Sequence, residues 1–272
     1  MILINGLPDD RISITDRGLQ YGDGLFETMA FRAGTVEFLD AHLARLVDGC
    51  RRLGIEFAQA EQLSNELDIV CQSLADNDAI IKVIITRGSG GRGYLAASDV
   101  VPTRIISTHP LPTYPSNYSQ SGVKVRLCRH TLSENTALAG IKHLNRLDQV
   151  LARNEWHDTG IAEGIMLDQA DNVIEGTMSN VFVVKAGQLL TPKLDKSGVS
   201  GIMRGQILLL ASELNISVLE TKLHIDDFRT ADEIFISNSV IGIWPVSNVE
   251  DTSYEVGPLT RNLQHVLQQA AK

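Results

Sequence analysis

"AGIKHLNRLDQ", residues 139–149, sets one lysine, Lys142, behind a Gly-Ile pair and beside His143, Asn145 and Arg146, at the approach to a helical pattern. A lysine is almost never fully buried unless it is paired, so the bland reading is a solvated side chain. The other reading is a reactive amine. What the rest of the chain offers that amine decides between them.

The chain has 272 residues, 43% of them hydrophobic and 21% charged, the balance of a globular protein with room for one large domain or two smaller ones. A formal charge of -9 argues against nucleic acid as the main partner, because phosphate backbones call for clustered Lys and Arg. It does not exclude a small anion held by local basic residues. Cys50, Cys71 and Cys128 are odd in number and widely spaced, with no CxxC pair. That is neither a disulfide framework nor a metal pattern, and core packing is their expected role. No stretch approaches the roughly 20 apolar residues of a membrane span, and "MILINGLPDDRISI" has no signal-peptide pattern, so a cytoplasmic protein that binds no membrane is expected.

Upstream of the lysine the chain reads as mixed α and β. "MILING" and "RISIT" flank the turn-rich "GLPDD" as a hairpin, and "LFETMAFRAGTVEFL" reads as another, turning at Ala33-Gly34. Leu43, Leu46, Val47, Cys50 and Leu53 recur at helical spacing, with Asp40 placed to cap the start and Gly54 the end; Leu63, Leu67, Val70 and Leu74 mark a second helix. "AIIKVIITRG" and "TRIISTHP" read as strands, and the glycine-rich 88–102 between them as a mobile or ligand-facing loop. The proline-rich "HPLPTYPSNYSQSG" (109–122) suggests a linker, giving expected domains at 1–117 and 118–272. Beyond it "VKVRLC", "GIMLD", "NVIEGT" and "NVFVVKAGQLLTP" read as strands, with helices at about 145–157, 202–214 and 258–271.

Four stretches form a set: "HLARL" (42–46), "GIKHLNRL" (140–147), "NVIEGTMSNVF" (172–182) and "GVSGIMR" (198–204). In this order and at these intervals the chain resembles, nearly end to end, the branched-chain/D-amino-acid aminotransferase-like (fold type IV) enzymes that use pyridoxal 5'-phosphate (PLP). "YGDGLFET", "TRGSGGRGY" and "GIKHLNRL" look most like the lyase branch, which splits an amino derivative of chorismate into 4-aminobenzoate and pyruvate in folate biosynthesis. The resemblance implies an α+β, two-domain protein, with a small α/β N-terminal domain and a larger β-rich pseudo-barrel C-terminal domain with flanking helices. It also implies a homodimer, which no residue pattern shows directly.

It gives the residues roles as well. Lys142 matches the amine that condenses with the cofactor's aldehyde, a use that burial favours by lowering a lysine's pKa. Glu175 matches the carboxylate that keeps the pyridine nitrogen protonated so that the ring can act as an electron sink. The amides of Ile202 and Met203, at the start of a predicted helix, match the phosphate cup; Arg45 would add a guanidinium and Ser239 a hydroxyl. Ser179 and Asn180 are expected to support the turn and strand. Arg92 matches a carboxylate-binding arginine, with Arg87 and Arg146 as alternatives, and Tyr94 and Tyr21 are candidate substrate contacts. Thr28 stands where lyases of the family carry threonine and branched-chain aminotransferases glycine, and is read as a catalytic hydroxyl. His42, His143 and His157 are read as structural.

Other activities compete. Branched-chain aminotransferases place a tyrosine five residues after the lysine, where this chain has Leu147. The D-amino-acid aminotransferase pattern tolerates leucine there. A non-catalytic PLP-binding relative would have lost Lys142, Glu175 or Arg45, and all three are present.

Overall fold

The computed structural model describes residues 1–270. The chain divides into two compact units, and the first takes Met1–Pro112 together with the detached segment Lys142–Asn145. Its elements are β1 (Ile2–Ile4), β2 (Leu7–Pro8), α1 (Arg17–Tyr21), β3 (Gly24–Arg32), β4 (Thr35–Val36), α2 (Leu39–Arg52), α3 (Ala60–Leu74), β5 (Ala79–Thr86) and β6 (Thr103–Pro110). The strands form one antiparallel sheet in the order β2-β1-β6-β5-β3-β4. β3 and β5 pair along their whole length, from Gly24↔Thr86 to Phe31↔Ala79.

Period-two alternation buries Leu25, Met29 and Phe31 of β3 and Ile81, Val83 and Ile85 of β5. α2 packs on β3 and α3 on β6, and the helices bury Leu46, Cys50, Leu63, Leu67 and Val70. Each such side chain, fully buried, stabilises by about 1.5–3 kcal/mol before entropy is counted.

Two local expectations change. The first hairpin turns at Asn5-Gly6, whose φ values of 51° and 81° are the pair that a two-residue hairpin turn requires, and it closes on Leu7–Pro8. "RISIT" is therefore not a strand; Asp9 Oδ1 accepts from the amides of Asp10 and Arg11 and turns the chain away. The second hairpin does turn at Ala33-Gly34. α2 then starts so soon after β4 that its cap position is Phe38, with no side-chain cap, and Asp40 lies inside the first turn, where its charge favours the helix dipole. Gly54, at φ 63°, follows the helix end as expected.

The second unit takes Thr113–Ile141 and the chain from Arg146 onward. Its elements are α4 (Tyr118–Ser121), β7 (Val123–Leu127), α5 (Leu147–Arg153), β8 (Ile161–Leu167), β9 (Asn172–Gly176), β10 (Asn180–Lys185), β11 (Gln188–Pro192), α6 (Ile202–Glu213), β12 (Val218–Thr221), β13 (Leu223–His224), α7 (Ile225–Arg229), β14 (Glu233–Asn238), β15 (Gly242–Val249), β16 (Thr252–Ser253) and α8 (Pro258–Ala270). The sheet runs β12-β11-β10-β14-β15-β7-β8-β9-β13, with β16 on β15. β9 also comes alongside β10 and β11, so the sheet curls into a near-barrel. Val125, Ile165, Val181, Val183, Ile234, Ile236, Trp244 and Val246 fill its core. Together the two units are the α+β architecture implied by the resemblance.

The helix expected at 145–157 is only Leu147–Arg153: residues 142–145 belong to the other unit, and Trp156 turns into a core cluster with Cys128 and Ala152. The helix expected at 258–271 runs to Ala270, and its last residue lies outside the described ones. β14 and β15 were not foreseen. β14 is buried on both faces and so lacks polar alternation, and β15 carries Pro245. Cys50 and Cys128 are buried, their thiols pushed up to about 12, whereas Cys71 is only half-buried.

Candidate active site

In the first unit, Lys142 is fixed by its backbone. Phe26 N–H donates to Lys142 O at 3.1 Å, Leu144 N–H donates to Gly24 O at 3.0 Å, and His143 bridges Leu25, so residues 142–144 lie along the start of β3. Asn145 Nδ2 donates to Gly22 O at 3.1 Å. Gly22 sits at φ 66°, and a Cβ there would come within 2.5 Å of Asn145 Oδ1, so glycine is required twice over. These bonds hold the main chain of Lys142 in place. Its Nζ lies 4.3 Å from the centre of the Phe26 ring, and Lys82 Nζ lies 5.4 Å from the same ring. Thr28 follows Phe26 by two residues, hence on the same face of β3, and its partner in β5 is Lys82.

Glu27 points the other way, toward α2, where it meets His42 and Arg45. Arg45 Nε donates to Glu27 Oε1 at 2.8 Å and Nη2 to Oε2 at 2.5 Å, while His42 Nδ1 donates to Oε2 at 2.6 Å. Burial alone would push the Glu27 carboxyl up, but these donors and the arginine charge outweigh it and hold the group below the usual glutamate range. The expected Arg45 thus comes with a buried carboxylate, Glu27, that is not among the residues expected from the sequence.

The candidate substrate contacts gather around α1. Tyr21 and Tyr94 meet edge to face, with ring centres 5.6 Å apart, and the Arg17 guanidinium lies 4.9 Å from the centre of the Tyr21 ring. Arg17 donates to Asp23 and to the carbonyls of Gly93 and Tyr94, which ties the glycine-rich loop down. Arg87 donates to Asp23 and to the carbonyls of Leu53 and Gly54, an assignment that makes it structural. Arg92 is exposed on the loop, and Tyr94 is 89% exposed despite its ring contact. A cavity of about 390 Å³ lies beside this loop, lined by Asp23, Ile55, Arg87, Tyr94 and Pro102; Lys142 is not part of its wall.

In the second unit, Glu175 is buried on β9. Its Oε2 accepts from Val199 N–H at 2.8 Å and its Oε1 from Gln149 Nε2 at 3.3 Å. Val199 leads directly into Gly201, where α6 begins without any side-chain cap, so Ile202 and Met203 open a helix whose first amides are available for an anion. Asn180 Nδ2 donates to Val199 O, and a Cβ on Gly201 would run into Asn180 Oδ1. Glu175, Asn180, Ile202 and Met203 are thereby brought together. Ser239 is not linked to them; it lies in the turn after β14, where Asn238 Oδ1 accepts from Val240 and Ile241. Arg146 is another alternative for substrate binding; burial pulls its pKa down against the charges of Glu175 and Asp148.

Ser179 supports the turn as expected, whereas the Asn180 side chain reaches Val199 instead. Ser179 Oγ donates to Glu163 Oε2 at 2.8 Å. Glu163, fully buried on β8, also accepts from Thr177 Oγ1 and from the amides of Gly164, Thr177 and Met178. Burial still dominates and pushes its carboxyl above the usual range. Among the described residues no group of three or more His, Cys, Asp or Glu is placed to hold a metal, and no helix is long and apolar enough to cross a membrane.

PLP makes three demands: an amine for its aldehyde, a buried anion for its ring nitrogen and a cradle for its phosphate. The chain holds a group of each kind: Lys142 in the first unit, and Glu175 and the uncapped start of α6, with Gly201 packed against Asn180, in the second.

Comparison with known proteins gives the family. Residues 24–249 match the model of the amino-transferase class IV family. An aminodeoxychorismate lyase of Vibrio harveyi is 36% identical over 97% of this chain and 98% of its own length. The crystal structure of 4-amino-4-deoxychorismate lyase from Pseudomonas aeruginosa superposes with a TM-score of 0.95 at 46% identity, covering 99% of this chain and 98% of that one. A putative branched-chain-amino-acid aminotransferase of Methanocaldococcus jannaschii is 33% identical over 94% of this chain and 90% of its own.

Proposed function

Because this chain belongs to the class IV aminotransferase family, we propose that it is a PLP-dependent lyase that converts 4-amino-4-deoxychorismate to 4-aminobenzoate and pyruvate. The observation that carries the reading is the full-length similarity to two lyases, at 46% and 36% identity. Leu147, where branched-chain aminotransferases are expected to carry tyrosine, supports lyase over that transaminase.

Lys142 would hold the cofactor's aldehyde, Glu175 its ring nitrogen, and Ile202, Met203, Arg45 and Ser239 its phosphate. When bound, PLP supplies an electron sink for a carbanion next to the substrate's amine. With its amine free, Lys142 would act as the base that takes the proton from the ring carbon bearing the substrate's amine. The C–O bond to the enolpyruvyl group then breaks, its electron pair leaves with the oxygen, and the ring becomes aromatic. The departing fragment gains a proton and is pyruvate, so no water or keto-acid acceptor is consumed. Thr28, on the face of β3 against which Lys142 lies, is the proposed donor toward that oxygen. Arg92, Tyr94 and Tyr21 are proposed for the substrate and its carboxylates.

Incubation with 4-amino-4-deoxychorismate and no keto acid should give 4-aminobenzoate and pyruvate in equal amounts; product that appears only when a keto acid is added would make it a transaminase. Thr28→Val should slow pyruvate release at least tenfold while PLP affinity changes by less than about threefold, within the range of general acid catalysis.

A homodimer is also proposed. Leu147, Val150 and Leu151 recur at i, i+3 and i+4 on α5 and are all exposed, an apolar stripe suited to a second copy. Sedimentation should give about twice the mass of one chain. The three unpaired cysteines fit a reducing compartment, and a cytoplasmic location is proposed.

A further inference from the structure

Of the three side chains in the cluster of Glu27, His42 and Arg45, that of Arg45 is the most exposed. The side chains of His42 and Glu27 are 0% and 2% exposed, whereas that of Arg45 is 15% exposed. A guanidinium is planar, so two bonds from Nε and Nη2 to one carboxylate fix both its plane and the direction of its remaining N–H bonds. His42 fixes the carboxylate in turn through Oε2, and both helical partners come from one turn of α2.

We propose that Glu27 is a positioning residue that aims Arg45 at the cofactor's phosphate, with His42 locking Glu27 in place. The inference rests on the reading that Arg45 takes that phosphate. As a mere counter-charge, Glu27 would weaken the pull of Arg45 on an anion; as the group that orients it, Glu27 strengthens binding. The two roles give opposite signs when the charge is removed and the shape kept. A Gln at 27 has one carbonyl oxygen, and its amide N–H would face an arginine that also donates, so the two-pronged bond is lost.

The test is the preference of the full-length protein, stripped of cofactor by dialysis, for PLP over pyridoxal, which lacks the phosphate. The ratio of the two dissociation constants isolates phosphate recognition from general damage to the fold. Glu27→Gln should reduce that ratio tenfold or more, with the pyridoxal constant moved less than about threefold. His42→Asn, whose amide can replace the Nδ1 donor, should stay within threefold of wild type. A ratio in Glu27→Gln that is unchanged or increased overturns the proposal. If Glu27→Gln does not fold, Glu27→Asp, which keeps the charge and shortens its reach, must lower the ratio, and an unchanged ratio overturns it equally. Arg45→Ala separates the two failures: a ratio lost in Arg45→Ala but kept in Glu27→Gln sinks only the positioning role, and a ratio kept in both sinks the phosphate assignment of Arg45 as well.

Discussion

Glu27 and Glu163 are acids on core-facing positions of strands, one in each unit, and the two units satisfy them in opposite ways. Glu27 is met by one arginine and a histidine on α2, and its carboxyl is held below the usual range. Glu163 is met only by amides and hydroxyls of its own neighbourhood, and burial pushes its carboxyl above that range. A buried acid paired with a charge can serve to orient that charge, whereas one surrounded by neutral donors serves to fold a turn. Among the candidate residues, the first unit holds the cations Lys142 and Arg45, while the second holds the Glu175 carboxylate and the amides that open α6.

Replacement of both acids should expose this difference. Glu163→Leu leaves five donors without their acceptor, and a loss of about 3–5 kcal/mol in urea unfolding at neutral pH is expected. Glu27→Gln should lose less, about 1–3 kcal/mol, because Arg45 reaches solvent and can be hydrated once its partner is gone. An equal or reversed order would mean that the neutral shell around Glu163 matters less than the ion pair.

The pH dependence should differ in sign. A glutamate is normally half-ionised near pH 4.3. Glu27 is lowered, so its contribution is present above that point and is lost as pH falls through its depressed value. Glu163 is raised, so its contribution is present below that point and fades as pH rises through its elevated value. Across weakly acidic pH, then, the wild type should gain stability over Glu27→Gln as pH rises and lose some of its advantage over Glu163→Gln. Parallel profiles would remove the contrast. Smallest of all, Ser179→Ala removes one of the five donors to Glu163 and should cost about 1 kcal/mol.

Local pattern, β-branched runs between turn residues and apolar residues at helical spacing, made the strands of the first sheet and the long helices legible. It failed for β14, which is wet on neither face, and for 142–145, which looks like the start of a helix but is captured by β3. The candidate residues Lys142, Glu175, Arg45, Ile202 and Met203 come from the family resemblance, and the structure adds the bonds around Lys142, Glu175 and Arg45. Glu27 had a readable signal: in "LFETMAF" it takes the same parity as Leu25, Met29 and Phe31, so alternation already places an acid in the core. Glu163 has the same parity as Ile165 on β8. The partners of these acids are distant in sequence and could not be paired from spacing. Asn145 stands beside Lys142 in sequence, but its bond to Gly22 spans 123 positions.

The covalent chemistry assigned to Lys142 has a built-in rival, since Lys82 approaches the same Phe26 ring. Borohydride reduction of the PLP-loaded protein followed by peptide mass mapping tests it directly. The phosphopyridoxyl mass should appear on Lys142 and nowhere else in stoichiometric amount; its appearance on Lys82, or on no lysine at all, would contradict the account.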